Sequence, residues 1–272
     1  MSGMQPAGSG FVDVEGTQLY YEVAGTGEPV VLIHAGICDS RMWDDQWAVF
    51  ARQYRAIRYD VRGFGKSAIP SQSYADRDDL YALCRHLGVE QTHIVAVSMA
   101  GHIAIAFALE HPEMIRSLVL VAAGVGGAPP SEALQHVWEE VDAAFTAGDV
   151  AMANELELRA WVDGPGRAPD QVDPTVRERV REMNGNVLML ANDEAVERPL
   201  EPPARERLGE LRVPALIIVG DYDQPRVITS ADLFEEAIAG SKKVIMRGTA
   251  HLPSMEHPAE FNSLVLDFLQ GV

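Results

Sequence analysis

The chain has 272 residues, 47% of them hydrophobic, which is enough for one large core with room for an inserted subdomain. Its 40 acidic against 22 basic side chains leave a net charge of −18, a field that repels phosphate backbones and anionic lipid and so argues against nucleic-acid and membrane-surface partners. No apolar run reaches the roughly 18 residues of a membrane span, and two distant cysteines, Cys38 and Cys84, make no disulfide framework, so the expected setting is cytoplasmic.

Met1 to Gly10 is small and polar, without the basic start and apolar stretch of a signal peptide, and reads as a flexible tail. Phe11 to Glu15 and Gln18 to Ala24 flank Gly16-Thr17, a two-residue hairpin signal. Short apolar runs follow at Val30–His34, Ala56–Asp60, Ile94–Ser98, Leu118–Ala122 and Ala215–Gly220, with Lys243–Met246 a further candidate. Helical patterns lie between and after them, at Asp44–Gln53, Tyr74–Leu87, Met99–Glu110, Thr229–Ala239 and Pro258–Leu269. Continuous apolar strands alternating with helices predict an α/β fold, a mostly parallel sheet covered by helices on both faces. From Pro129 to Glu206 the alternation stops. Helical patterns at Ser131–Ala147, Val150–Trp161 and Pro174–Leu190 are joined by Pro- and Gly-rich segments, which predicts a helical cap over the C-terminal edge of the sheet, where ligands bind. The expected organisation is a tail (1–10), a first core part (11–128), the cap (129–206) and a second core part (207–272).

Chemistry concentrates at that sheet edge. In His93-Ile-Val-Ala-Val-Ser-Met-Ala-Gly-His102, a strand pattern meets a helix pattern at Ser98, a sharp bend that would hold one hydroxyl beside a helix N-terminus. The flanking residues are Ala96 and Ala100 rather than the glycines of the usual G-x-S-x-G. A serine needs a base to take its proton and an acid to orient that base. Asp223, in the acidic turn after Ala215–Gly220, is the candidate acid, with Asp221 the alternative. His251, after the last strand candidate, is the candidate base. The order Ser98, Asp223, His251 is that of the α/β-hydrolase triad.

With these residues the chain resembles the α/β-hydrolase fold family along nearly its whole length. Tyr59-Asp-Val-Arg-Gly-Phe-Gly-Lys-Ser67 is similar to the family's D-x-R-G-x-G-x-S turn, and His34-Ala35-Gly36 to its H-G-x oxyanion loop, with Ala35 for the first glycine. Within the family, Asp39-Ser-Arg-Met-Trp-Asp-Asp-Gln46 and His251-Leu-Pro-Ser-Met-Glu-His-Pro-Ala-Glu-Phe261 resemble 3-oxoadipate enol-lactonases and related small esterases. The resemblance implies a cofactor-free serine hydrolase acting on a small-molecule ester or lactone through an acyl-enzyme. Backbone N–H groups of Met99 and of Gly36, or alternatively Ile37, would form the oxyanion hole. Ile37, Arg41, Trp138, Trp161 and Leu252 are the expected substrate contacts, with Arg159 and Arg181 as other cations for a substrate carboxylate. A C–C bond hydrolase or a cofactor-free perhydrolase would use the same triad. A ligand-binding receptor with little turnover is the rival of another class. Oligomeric state has no signature here.

Other residues read as structural. His34 is expected to buttress the oxyanion loop and His102 to pack. Asp60 and Arg62 are expected to order their turn by charge-assisted hydrogen bonds, and Cys38 to be a small buried thiol. No metal site is expected: His251-x₄-Glu256-His257 is one residue longer than the H-x-x-E-H zinc spacing, and Pro253 interrupts it.

Overall fold

A computed structural model describes residues 8–69, 72–124, 130–190 and 196–272. Among the described residues eight strands form one sheet: β1 (Gly8–Val14), β2 (Thr17–Ala24), β3 (Pro29–Ile33), β4 (Arg55–Tyr59), β5 (Thr92–Val97), β6 (Ile115–Val121), β7 (Ala215–Gly220) and β8 (Lys242–Met246), in the order β1-β2-β4-β3-β5-β6-β7-β8. The β1–β2 and β2–β4 pairs are antiparallel, and every later pair is parallel. Ten α-helices among the described residues accompany them: α1 (Asp44–Phe50), α2 (Asp76–His86), α3 (Ala100–Glu110), α4 (Glu132–Thr146), α5 (Val150–Glu157), α6 (Pro174–Leu190), α7 (Ala204–Arg207), α8 (Pro225–Ala237), α9 (Pro253–Glu256) and α10 (Pro258–Gln270).

The apolar runs become buried strands because successive side chains point to opposite faces and both faces are covered. Val31, Ile33, Ile94, Ala96, Leu118, Leu120 and Ile217 join one core cluster with α2, α3 and α8. Val30, Leu32, Val95, Val97, Val119, Val121 and Ile218 join the other, with Phe50 of α1 and Phe261 of α10. Leu158, Val162, Val176, Val180 and Met183, from the helical excursion between β6 and β7, belong to that second cluster, so the excursion shares a core with the sheet.

Several boundaries differ from expectation, three of them for a clear local reason. The hairpin loop is Glu15-Gly16 rather than Gly16-Thr17: Val14 pairs with Thr17, and Gly16 takes φ +74°, the left-handed region that glycine enters without strain. β1 begins at Gly8, so residues 8–10 of the expected tail are in a strand, and residues 1–7 lie outside the described residues. Helix α8 begins at Pro225, four residues before the expected Thr229, because proline fits the first helical position, where its missing N–H costs nothing. The expected 128/129 boundary of the cap lies outside the described residues. The pattern over Val150–Trp161 becomes α5 followed by a π-helical turn, Leu158–Asp163.

Candidate active site

Ser98 occupies the bend between β5 and α3 with φ +57°. That conformation costs a non-glycine residue about 1–3 kcal/mol, and its surroundings enforce it. The Ser98 N–H donates to Val121 O at 2.8 Å, and the Gly101 N–H returns to Ser98 O at 2.9 Å. Ala96 and Ala100 are completely buried, and their methyl groups are accommodated. The position that demands glycine is Gly101, where an added Cβ would come within 2.5 Å of Ala123 Cβ. A second strained residue adjoins the bend: Ala122, at the end of β6, has φ +47°.

His251 Nε2 lies 2.6 Å from Ser98 Oγ, and its Nδ1 lies 2.9 and 3.0 Å from the two Asp223 oxygens. An ionised carboxylate only accepts, so Nδ1 carries the proton and Nε2 is left as the acceptor for the serine hydroxyl. Asp223 Oδ1 also accepts the Gln224 N–H at 2.7 Å. Both Asp223 and His251 are buried. Asp221 is exposed and accepts the Gly248 N–H at 2.7 Å, so it braces the His251 loop instead of the imidazole.

The loops carrying Asp223 and His251 are tied to the helical excursion. Trp161 O accepts the His251 N–H at 3.3 Å, and the indole ring lies 4.5 Å from the imidazole. Gln224 Nε2 donates to Ala160 O at 2.7 Å. Arg167 donates to Val162 O, Asp163 O and Gly248 O and pairs with Glu256 at 2.8 Å, while Glu256 Oε1 accepts the Ala250 N–H at 2.7 Å. Burial raises the Glu256 pKa, and the Arg167 guanidinium opposes that rise.

On the opposite side, His34 Nε2 accepts the Val61 N–H and Nδ1 donates to Ala35 O, both at 2.9 Å. Burial holds its pKa below the ordinary value, so the neutral ring braces the loop through both nitrogens. Gly36 meets Met99: a Cβ there would sit 3.4 Å from Met99 Sδ. The turn hydrogen bonds around these two residues use the N–H groups of Cys38, Gly101 and His102. Asp60 accepts the Ser40 and Lys66 N–H groups at 2.8 Å, while Arg62 reaches past that turn to pair bidentately with Asp79 of α2. Burial pushes the Cys38 thiol pKa up, so it supplies no thiolate near neutrality.

A cavity of about 270 Å³ opens on Ser98 and His251, lined also by Met99, His102, Ala122, Gly124, Trp138, Trp161, Arg226 and Val227. Trp138 and Trp161, expected as substrate contacts, both line this cavity. Ile37 and Leu252 are buried in the second core cluster and do not line it. Arg41 does not either: Asp39 binds it at 2.8 Å and Glu182 at 2.5 Å, because the loop presents it to its own acidic N-cap. Arg159 and Arg181 are taken by Glu155. His102, expected to pack, lines the cavity and stands 3.7 Å from Glu197. With Asp76 these two make the only three-residue cluster of potential metal ligands among the described residues, their ligand atoms within 4.8 Å of one another. His257 instead faces Glu260, 3.6 Å away. Arg226 escaped the sequence reading, although its place three residues after Asp223 was the available signal.

The family model described as the alpha/beta hydrolase fold matches residues 28–258. A 2-hydroxy-6-oxononadienedioate/2-hydroxy-6-oxononatrienedioate hydrolase of Pseudomonas putida is 30% identical, over 93% of this chain and 92% of its own. A pimeloyl-acyl-carrier-protein methyl ester esterase of Aeromonas hydrophila is 26% identical, over 90% of this chain and 96% of its own. The solved enol-lactonase of Burkholderia xenovorans superposes with a TM-score of 0.78 at 23% identity, covering 96% of this chain and all of that one, a likeness of fold. No helix among the described residues is long and apolar enough to cross a membrane.

Proposed function

The chain belongs to the alpha/beta hydrolase fold family and is a hydrolase, and from that premise we propose that it cleaves a carboxylic ester or lactone of a small molecule through an acyl-enzyme on Ser98. The observation that carries the reading is the hydrogen-bonded line from Ser98 Oγ through His251 to Asp223, at 2.6 and 2.9 Å. Oγ attacks the carbonyl carbon as its proton passes to His251 Nε2. Asp223 holds the imidazole in the required tautomer and stabilises the imidazolium. The carbonyl oxygen becomes an oxyanion held by the N–H groups of Met99 and Gly36, with Ile37 the alternative second donor. Each donor is worth about 10²–10³ in rate. Collapse breaks the C–O bond, and the alcohol leaves with the proton from Nε2. Water then gives a proton to Nε2 as it attacks the acyl carbon, and collapse breaks the bond between that carbon and Oγ as Nε2 returns the proton to Oγ, releasing the acid and restoring Ser98. A lactone follows the same course, with the alcohol tethered. No cofactor is needed.

The segment 129–206 acts as a cap, with Trp138 and Trp161 as its contribution to the pocket. The similarity to a dienedioate hydrolase favours a second reading, in which the same triad breaks a C–C bond and a stabilised carbanion takes the place of the alkoxide.

Hydrolysis of p-nitrophenyl acetate, of simple lactones and of a vinylogous diketone by wild type and Ser98→Ala tests both readings. The expected loss in the variant is at least about 10⁴-fold, together with loss of labelling by a fluorophosphonate. Full ester turnover in Ser98→Ala would refute the acyl-enzyme, and turnover of the diketone alone would favour the second reading.

A further inference from the structure

We propose that Arg226 is a recognition point for a carboxylate on the substrate, so that the esters or lactones taken by this site carry a negative charge of their own. The inference rests on the hydrolytic reading of Ser98 and specifies its substrate class.

Arg226 stands in the first turn of α8, three residues after Asp223, and lines the cavity that opens on Ser98 and His251. Met99, Ala122, Trp138, Trp161 and Val227 give that cavity a largely apolar wall. In a chain with 40 carboxylates, the arginines around the site are consumed internally: Arg41 by Asp39 and Glu182, Arg167 by Glu256, Arg177 by Asp163 and Arg179 by Asp45. Arg226 is half-buried and makes no ion pair or side-chain hydrogen bond among the described residues. The neighbouring hollow that it also lines contains Asp232 and Glu236, but Asp232 is held by Lys243 at 2.6 Å, and neither acid is within ion-pair distance of Arg226.

A half-buried guanidinium with an unfilled fork, beside an apolar wall, suits a planar carboxylate that accepts two parallel hydrogen bonds. The partly desolvated setting strengthens such a bond relative to water. The positive end of the α8 dipole acts in the same direction. The chain's −18 charge makes a local cation all the more necessary for an anionic substrate, because it supplies attraction inside the screening distance of roughly 8–10 Å.

The test compares matched esters with and without a carboxylate, in wild type, Arg226→Met and Arg226→Lys. The pairs are p-nitrophenyl hydrogen glutarate against p-nitrophenyl valerate, with the charge on the acyl side, and 4-acetoxybenzoate against phenyl acetate, with the charge on the alcohol side. In one pair the ratio of kcat/KM, anionic over neutral, is expected to fall about ten- to a hundredfold in Arg226→Met. The loss should appear mainly in KM, with partial recovery in Arg226→Lys. Unchanged ratios in both pairs would overturn the inference while leaving the hydrolytic reading intact. If wild type cleaves neither these four nor simple lactones, the ester and lactone reading fails. The inference is then decided by calorimetric binding of the same two anionic esters, which must weaken about tenfold or more in Arg226→Met to sustain it.

Discussion

The two sides of the Ser98 site are built differently. The Ser98 side is contiguous: β5, the bend and α3 span residues 92–110, and the strain at Ser98 is sustained by hydrogen bonds from its own turn and from β6 next door. The Asp223 and His251 side is assembled from distant segments. Asp223 and His251 sit on loops after β7 and β8, and those loops are held by Ala160, Trp161 and Arg167 of the helical excursion. The excursion therefore holds the His251 and Asp223 loops as well as forming a wall of the cavity. Local chain geometry suffices to present a hydroxyl. Orienting a base against it takes a tertiary network.

The largest expected effects fall where the two sides meet. His251→Ala removes the proton acceptor and should cost at least about 10⁴-fold in kcat for p-nitrophenyl acetate. Asp223→Asn should cost about 10⁴-fold, because an amide that donates toward Nδ1 favours the wrong tautomer. If either variant kept more than a tenth of wild-type turnover, the two sides would not function as one unit.

A smaller and more selective effect is expected from Arg167→Met. Arg167 and Glu256 are both almost fully buried, at 7% and 5% side-chain exposure. Removing the cation leaves a buried carboxylate unpaired, which typically costs about 3–5 kcal/mol, or roughly 10 °C in melting temperature for a chain of this size. The His251 loop also loses its tie through Gly248 O, so kcat should fall about tenfold, the order of misaligning a catalytic group by a fraction of an ångström. The double variant Arg167→Met, Glu256→Gln should regain stability, since the stranded charge is gone, yet recover little of the kcat loss. Equal recovery of both would mean that Arg167 serves the fold alone. Calorimetric melting and steady-state kinetics on the three proteins separate the cases.

The same contrast governs how much could be read from the chain. The strand runs, the α3 helix and the serine at the bend were legible because their causes are local: apolar stretches of strand length, then an abrupt change to helical spacing. Asp223 and His251 were legible as residues placed after strands. What could not be read was everything decided by a partner far away in sequence. Arg41 was expected in the pocket because it follows the oxyanion loop, but Glu182, 141 residues later, helps to hold it elsewhere. Ile37 and Leu252 were expected to touch substrate from their place beside the site, yet their side chains complete the core under it. Arg167 carried no motif at all. Its role comes from four acceptors supplied by three separate segments.

The smallest effect sharpens the contrast from the Ser98 side. Glu256 has an arginine to offset its burial; Asp76, at the start of α2 beside His102 of α3, has none as a direct partner among the described residues. Its Oδ1 has no hydrogen-bond partner among the described residues. Burial first, and then the negative charge of Glu197, push its pKa up to about 7, with Asp79 adding to the rise and His102 and Arg62 opposing it. The sign of the consequence follows from proton linkage. Below about pH 4 Asp76 is protonated in both the folded and the unfolded chain. Between about pH 4 and 7 the unfolded chain releases this proton and the folded one keeps it. The folded state then binds more protons, so this residue lowers stability as pH rises through that window. Asp76→Asn keeps the shape without the charge and should flatten that decline. Its melting temperature relative to wild type should climb between pH 4.5 and pH 8, measured at constant ionic strength. A difference that stayed constant across that range would show that Asp76 ionises in the folded protein as it does in the unfolded chain, and the contrast between a compensated and an uncompensated buried carboxylate on the two sides of the site would be lost.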